Sequence, residues 1–130
     1  MYKYIGLIVW GAMAVPAFAV TEWTTQNCNN KGGEIVQSST GEIYCKSIST
    51  MNWWSAYAWC EAMGGHMPSM EEMCPGANLL RGAPCPSMNG TADHWSKTPN
   101  GDSNVYFPAR GVVIQDGGKS GSKYVWCLPN

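Results

Sequence analysis

The sequence predicts an α+β fold, two short helices with a twisted antiparallel sheet, long loops and three disulfides, and three observations carry that expectation. Six cysteines, Cys28, Cys45, Cys60, Cys74, Cys85 and Cys127, all lie beyond an N-terminal stretch with the form of an export signal. An even cysteine set in an exported chain forms a disulfide framework, although six cysteines allow fifteen pairings. The hydrophobic period changes along the chain from strand-like to helical and back. Finally, a single domain of about 110 residues buries only a modest core, where disulfides contribute most.

The first element is the signal itself. Lys3 gives a positive start, residues 5–15 are mostly apolar, and Ala17-Phe18-Ala19 is a small-x-small cleavage site. The apolar run falls short of the about 20 residues that span a bilayer. Residues 1–19 are therefore expected to be removed, and residues 20–130 to form one domain without a membrane span. Of the eight Lys and Arg, Lys3 lies in this segment, leaving seven against nine Asp and Glu. So even a balance excludes a basic surface for nucleic acid.

Residues 34–37 and 42–46 read as strands around the turn Ser38-Ser39-Thr40-Gly41, a hairpin that Cys28 and Cys45 could close. From Trp53 the apolar residues Ala56, Trp59, Cys60 and Met63 recur at helical spacing, with Asn52 as the cap and Gly64-Gly65 as the stop. Ser69 and Glu72 have the spacing of a capping box, which opens a second short helix that Pro75-Gly76 ends. Residues 78–90 are turn-rich, and Cys74 and Cys85 are near enough to pin them locally. Asn89-Gly90-Thr91 has the form of a glycosylation sequon and is read as a turn. Residues 94–96, 105–107, 112–115 and 123–128 read as strands, with Asp116-Gly117-Gly118 and Gly121 turning into the last. Zinc is disfavoured: no Cys-x-x-Cys pair occurs, and His66 and His94 lie far apart.

The segment Met51-Asn52-Trp53-Trp54-Ser55-Ala56-Tyr57-Ala58-Trp59-Cys60, followed by Met63-Gly64-Gly65-His66 and Ser69-Met70, resembles the first helix and the entry to the second in C-type-lectin-like domains. Tyr124-Val125-Trp126-Cys127 resembles the closing strand of that family. With His94-Trp95-Ser96-Lys97-Thr98-Pro99, the likeness covers almost the whole chain beyond the signal and is nearest to exported bacterial lectin-like proteins. The resemblance implies a Cys60–Cys127 bond and, as in the long form of the family, a Cys28–Cys45 bond in the N-terminal hairpin. The sequence departs from the sugar-binding animal members in one respect. Their calcium loop carries Glu-Pro-Asn or Gln-Pro-Asp and a Trp-Asn-Asp strand, whereas here Thr98-Pro99-Asn100 lacks the carboxylate. Asp102, Asn104 and Asp116 remain as oxygen donors, so no cofactor is expected, with calcium the one ion these side chains would suit.

Binding residues are sought in the polar stretch from Lys97 to Lys123, because loops on a rigid stapled scaffold are a usual recognition surface. The candidates are Trp95, Asn100, Asp102, Asn104, Tyr106, Arg110, Gln115 and Asp116. Trp53, Trp59 and Trp126 lie at core-like positions, while Trp54 and Trp95 are expected to be partly exposed. No Gly-x-Ser-x-Gly turn occurs, oxidised cysteines make no nucleophile, and the capping box accounts for Glu71 and Glu72. The sequence thus favours a non-catalytic, secreted, periplasmic or cell-surface recognition domain for an extracellular glycan or surface protein. A structural subunit of an envelope or appendage assembly, with Trp54, Met70 and Met73 against neighbours, is the alternative. A glycan-degrading enzyme using Glu71 and Glu72 ranks last.

Overall fold

The computed structural model describes residues 19–130, so residues 1–18 of the expected export signal lie outside the described residues. The chain is α+β. Its elements are helix α1 (Thr25–Asn29), strands β1 (Gly33–Gln37) and β2 (Ile43–Ser47), helix α2 (Trp53–Ala62), the short strand β3 (Gly65–His66), helix α3 (Met70–Met73), and strands β4 (Asn104–Ala109), β5 (Val112–Gly118) and β6 (Trp126–Pro129). Antiparallel pairing orders four strands as β1-β2-β6-β3, and β4 and β5 form a separate hairpin.

Local chemistry sets the helix ends. Asn52 accepts from Ser55 N to open α2, and Ser69 and Glu72 form a reciprocal capping box on α3. Gly64 stops α2 at a φ of 88°, a left-handed conformation that glycine adopts without a Cβ penalty. Helix α1 is a third helix where two were expected. Its capping box joins Thr24 to Asn27, with Asn in place of the usual Glu or Gln, and its residues carry no apolar period to betray it.

Gly65, expected as part of the helix stop, begins β3. A Cβ there would press on Leu128 O and lie 2.9 Å from the Trp23 ring, so only glycine lets the strand approach β6 this closely. Residues 94–96 are not a strand: His94 forms a single parallel bridge to Tyr124, and the side chains of this segment turn inward. The expected strand at residues 123–128 is laddered only over β6, with Lys123 bridging Met51 outside it.

The four-stranded sheet divides the interior in two, because alternate residues of each strand face opposite sides. On one side Cys45 and Cys127 join Trp23, Ala56, Cys60, Met63, Met67, Trp95 and Val125. On the other, Tyr44, Trp126 and Leu128 join Met70, Met73, Met88 and Val113. Disulfides Cys28–Cys45, Cys60–Cys127 and Cys74–Cys85 tie α1 to β2, α2 to β6, and α3 to the 3-10 turn Pro86–Met88. Such bonds form in oxidising compartments, which fits a non-cytoplasmic protein. Among the described residues, no helix is long and apolar enough to cross a membrane.

Candidate functional site

The sequence-predicted site residues do not form one cluster. Trp95 is a correction: it is fully buried, and its Nε1 donates to Met51 O at 2.7 Å, so no ring face is open to a ligand. The segment from Lys97 to Lys123 is largely the β4–β5 hairpin, not a set of free loops. Asn100 and Gln115 meet, but the Asn100 amide is spent on Gln115 O and the Gln115 amide on Leu79 O. Asp116 is paired with Arg81 at 3.2 Å. Asn104 stands opposite Gly118 in the ladder, and Asp102 is exposed before it. Arg110 lies in the tight turn at the other end of the hairpin, at a φ of 51°, and Tyr106 is half-buried against the second core. Met70 and Met73 are buried too, which removes them as contacts for a neighbour.

A cleft elsewhere gathers more chemistry. Register puts Glu34 opposite Lys46, Val36 opposite Tyr44, and Lys46 opposite Trp126, so these side chains share one face of the sheet. Across from them runs the segment after the 3-10 turn. The Cys74–Cys85 bond and buried Met88 anchor it, Gly90 turns it at a φ of 81°, and Thr91 fixes it through Oγ1 donating to Met88 O at 2.9 Å. Between sheet and segment opens a cleft of about 430 Å³, lined by Val36, Gln37, Lys46, Asn89, Thr91, Asp93, Tyr124 and Trp126. That lies within the range of about 300–1,000 Å³ usual for ligand sites.

Inside the cleft, the Lys46 ammonium is 4.2 Å from the Tyr124 ring centre and 3.4 Å from Glu34. Asp93 and Thr91 add a carboxylate and a hydroxyl on the opposite wall. Beneath the floor, Trp126 is packed between Tyr44 at 5.4 Å and His94 at 4.7 Å, the latter stacked within 14° of parallel. Burial, assisted by the nearby Lys46 charge, pushes the His94 pKa down to about 3, so this ring is neutral at ordinary pH. Burial also raises the Tyr44 hydroxyl, with Glu42 and Glu72 adding to the effect, and that group stays protonated. The floor is therefore a rigid, uncharged aromatic layer, and the charge in the cleft belongs to Lys46 and Asp93.

A second polar cluster closes the fold. His66 Nε2 lies 2.8 Å from Glu72 Oε2, and Nδ1 lies 2.8 Å from Asn130 Oδ1. Burial alone would raise the Glu72 pKa, but the Ser69 backbone N–H and then His66 hold it below the usual carboxylate range. Both carboxylate oxygens are thereby committed, one to each partner. Among the described residues no three His, Cys, Asp or Glu side chains gather as a metal-binding group.

Comparison with known protein families, with curated proteins and with solved structures returns no match to this chain. The cleft residues escaped the sequence reading because Gln37, Lys46, Asp93 and Tyr124 come from four separate segments. The one local signal was the alternation within β1 and β2, which pairs Glu34 with Val36 on one face but says nothing of what lies opposite.

Proposed function

We propose that this chain is a non-catalytic, exported recognition domain that holds an extracellular glycan or surface protein in the cleft between β1, β2, β6 and residues 89–93. The observation that carries the reading is the convergence of Lys46 and Asp93 on a cleft whose rigid floor is Val36 and Trp126. A concave site with an apolar base and a few placed polar groups is a usual form of binding site. The disulfides support it by fixing both walls: Cys28–Cys45 and Cys60–Cys127 hold the sheet, and Cys74–Cys85 holds the facing segment. The same three bonds, with α2 joined to the last strand, support a C-type-lectin-like architecture. Glu72 serves α3 and His66, which favours binding over acid–base chemistry at the adjacent carboxylates.

The test is binding of the oxidised protein to panels of extracellular glycans and cell-surface proteins, repeated with a Lys46→Ala, Asp93→Ala variant. A ligand retained by the native protein and lost by the variant supports the cleft. If no panel member binds, or if the variant binds as well as the native protein, the cleft is not a recognition site.

A further inference from the structure

β1 is one edge of the four-stranded sheet, and among the described residues no strand pairs with its outer side. The register decides which of its backbone groups face outward. Antiparallel partners alternate between pairs that exchange hydrogen bonds and pairs that do not. Ser38 N donates to Glu42 O at 2.9 Å, so the bonded pairs down the ladder are Val36 with Tyr44 and Glu34 with Lys46. Cys45 and Ser47 turn toward β6 instead, where Ser47 N donates to Val125 O at 2.9 Å. Their β1 partners Ile35 and Gly33, and Gln37 beyond, therefore point N–H and C=O away from the sheet. The Cys28–Cys45 disulfide packs against buried Gly33, but Ile35 and Gln37 have no backbone partner among the described residues.

Helix α1 packs against β1, but the strand itself lacks the sequence devices that discourage strand addition. β1 contains no Pro and no Lys, no bulge interrupts its ladder, and its one charge, Glu34, is paired with Lys46. The cleft begins directly beside it, with Val36 on its floor and Gln37 at its rim. A strand laid along β1 would turn every second side chain to the cleft side of the sheet. A sugar would find less: Trp126 is only 7% exposed, and the Lys46 ammonium covers the Tyr124 ring. Little aromatic face is left there for a sugar ring to stack on.

We infer that the ligand is an extended polypeptide segment, which adds a strand to β1 by bonding the backbone of Ile35 and Gln37 and seats one large apolar side chain in the cleft. This rests on the cleft being the recognition site. Main-chain bonds supply affinity in such complexes and pockets for alternate side chains supply selectivity.

Isotope-labelled oxidised protein is titrated with nine-residue peptides alternating Thr with Phe, Leu or Trp, and separately with neutral and uronic-acid oligosaccharides. With the peptides, the Ile35 and Gln37 amides shift and become protected from hydrogen exchange, together with shifts at Thr91 and Trp126. Gln37→Pro removes the outward N–H and the exposed side-chain bond from Gln37 Nε2 to Gly41 O at 3.0 Å, so it costs little stability and weakens peptide binding roughly tenfold. Peptide shifts confined to Thr91, Tyr124 and Trp126, with the β1 amides unmoved, overturn strand addition and leave the cleft as the site. Oligosaccharides producing those shifts in place of peptides do the same and make the ligand a glycan. If neither probe moves a cleft residue, both the strand and the cleft are refuted. Should Gln37→Pro fail to fold, the exchange of the two native amides still decides.

Discussion

His94 gives the fold a pH limit whose size follows from its surroundings. Thr91 Oγ1 donates its proton to Met88 O, so at 3.3 Å it can only accept from His94 Nε2. The neutral ring therefore carries its proton on Nε2, and buried Nδ1 is a bare acceptor without a partner. Protonation would place a charge in a fully buried site near the Lys46 ammonium, which is why the folded pKa falls to about 3. The unfolded value is about 6.5. A depressed folded pKa means that the unfolded chain binds the proton first, so stability is full above pH 6.5 and falls as pH drops toward 3. Linkage gives a loss of about 2 kcal/mol between pH 8 and pH 5 from this residue, with a slope approaching ~1.4 kcal/mol per pH unit. His94→Phe keeps the stack on Trp126 and removes both nitrogens. Urea unfolding with disulfides intact, at pH 8 and pH 5, should show the native protein losing this increment relative to the variant. At pH 8 the variant should be equal in stability or slightly above, since the lost Thr91 bond is offset by relief of the orphan Nδ1. A difference between the two proteins that stays constant from pH 8 to pH 5 would refute the reasoning. Glu72, held below its usual range, adds its own loss only at lower pH, as the medium falls through the carboxylate region.

Other perturbations separate buried from exposed positions. Trp95→Ala should cost about 3–5 kcal/mol in chemical denaturation, because the ring is fully buried and its Nε1 bond to Met51 is lost, whereas Trp54→Ala, at a side chain 55% exposed, should fall within about 0.5 kcal/mol. Gly65→Ala should lower the thermal midpoint sharply by forcing β3 off Leu128 and Trp23; an unchanged midpoint would mean the two strands do not approach as described. Ser69→Ala removes the acceptor for Glu72 N and should cost about 0.5–2 kcal/mol, measured by the same urea titration.

What the sequence by itself determined is local. The Asn52 cap, the Gly64 stop, the Ser69–Glu72 box and the β1–β2 hairpin each depend on residues a few positions apart, so their chemistry is written in consecutive text. Even there α1 was lost, because an Asn-based capping box without an apolar period leaves a weak signature. What only the tertiary structure decided is which groups share a face or an interior. Trp54 and Trp95 are the same residue type, yet one is open and the other closed, because burial depends on what packs opposite. His94 became a neutral core ring, the Lys97 to Lys123 loops became a hairpin, and β3 arose from a glycine read as a stop. The cleft required the register of three strands and a disulfide-pinned segment together. Pairing between strands is non-local, so a residue's place in the chain does not say which surface it will join.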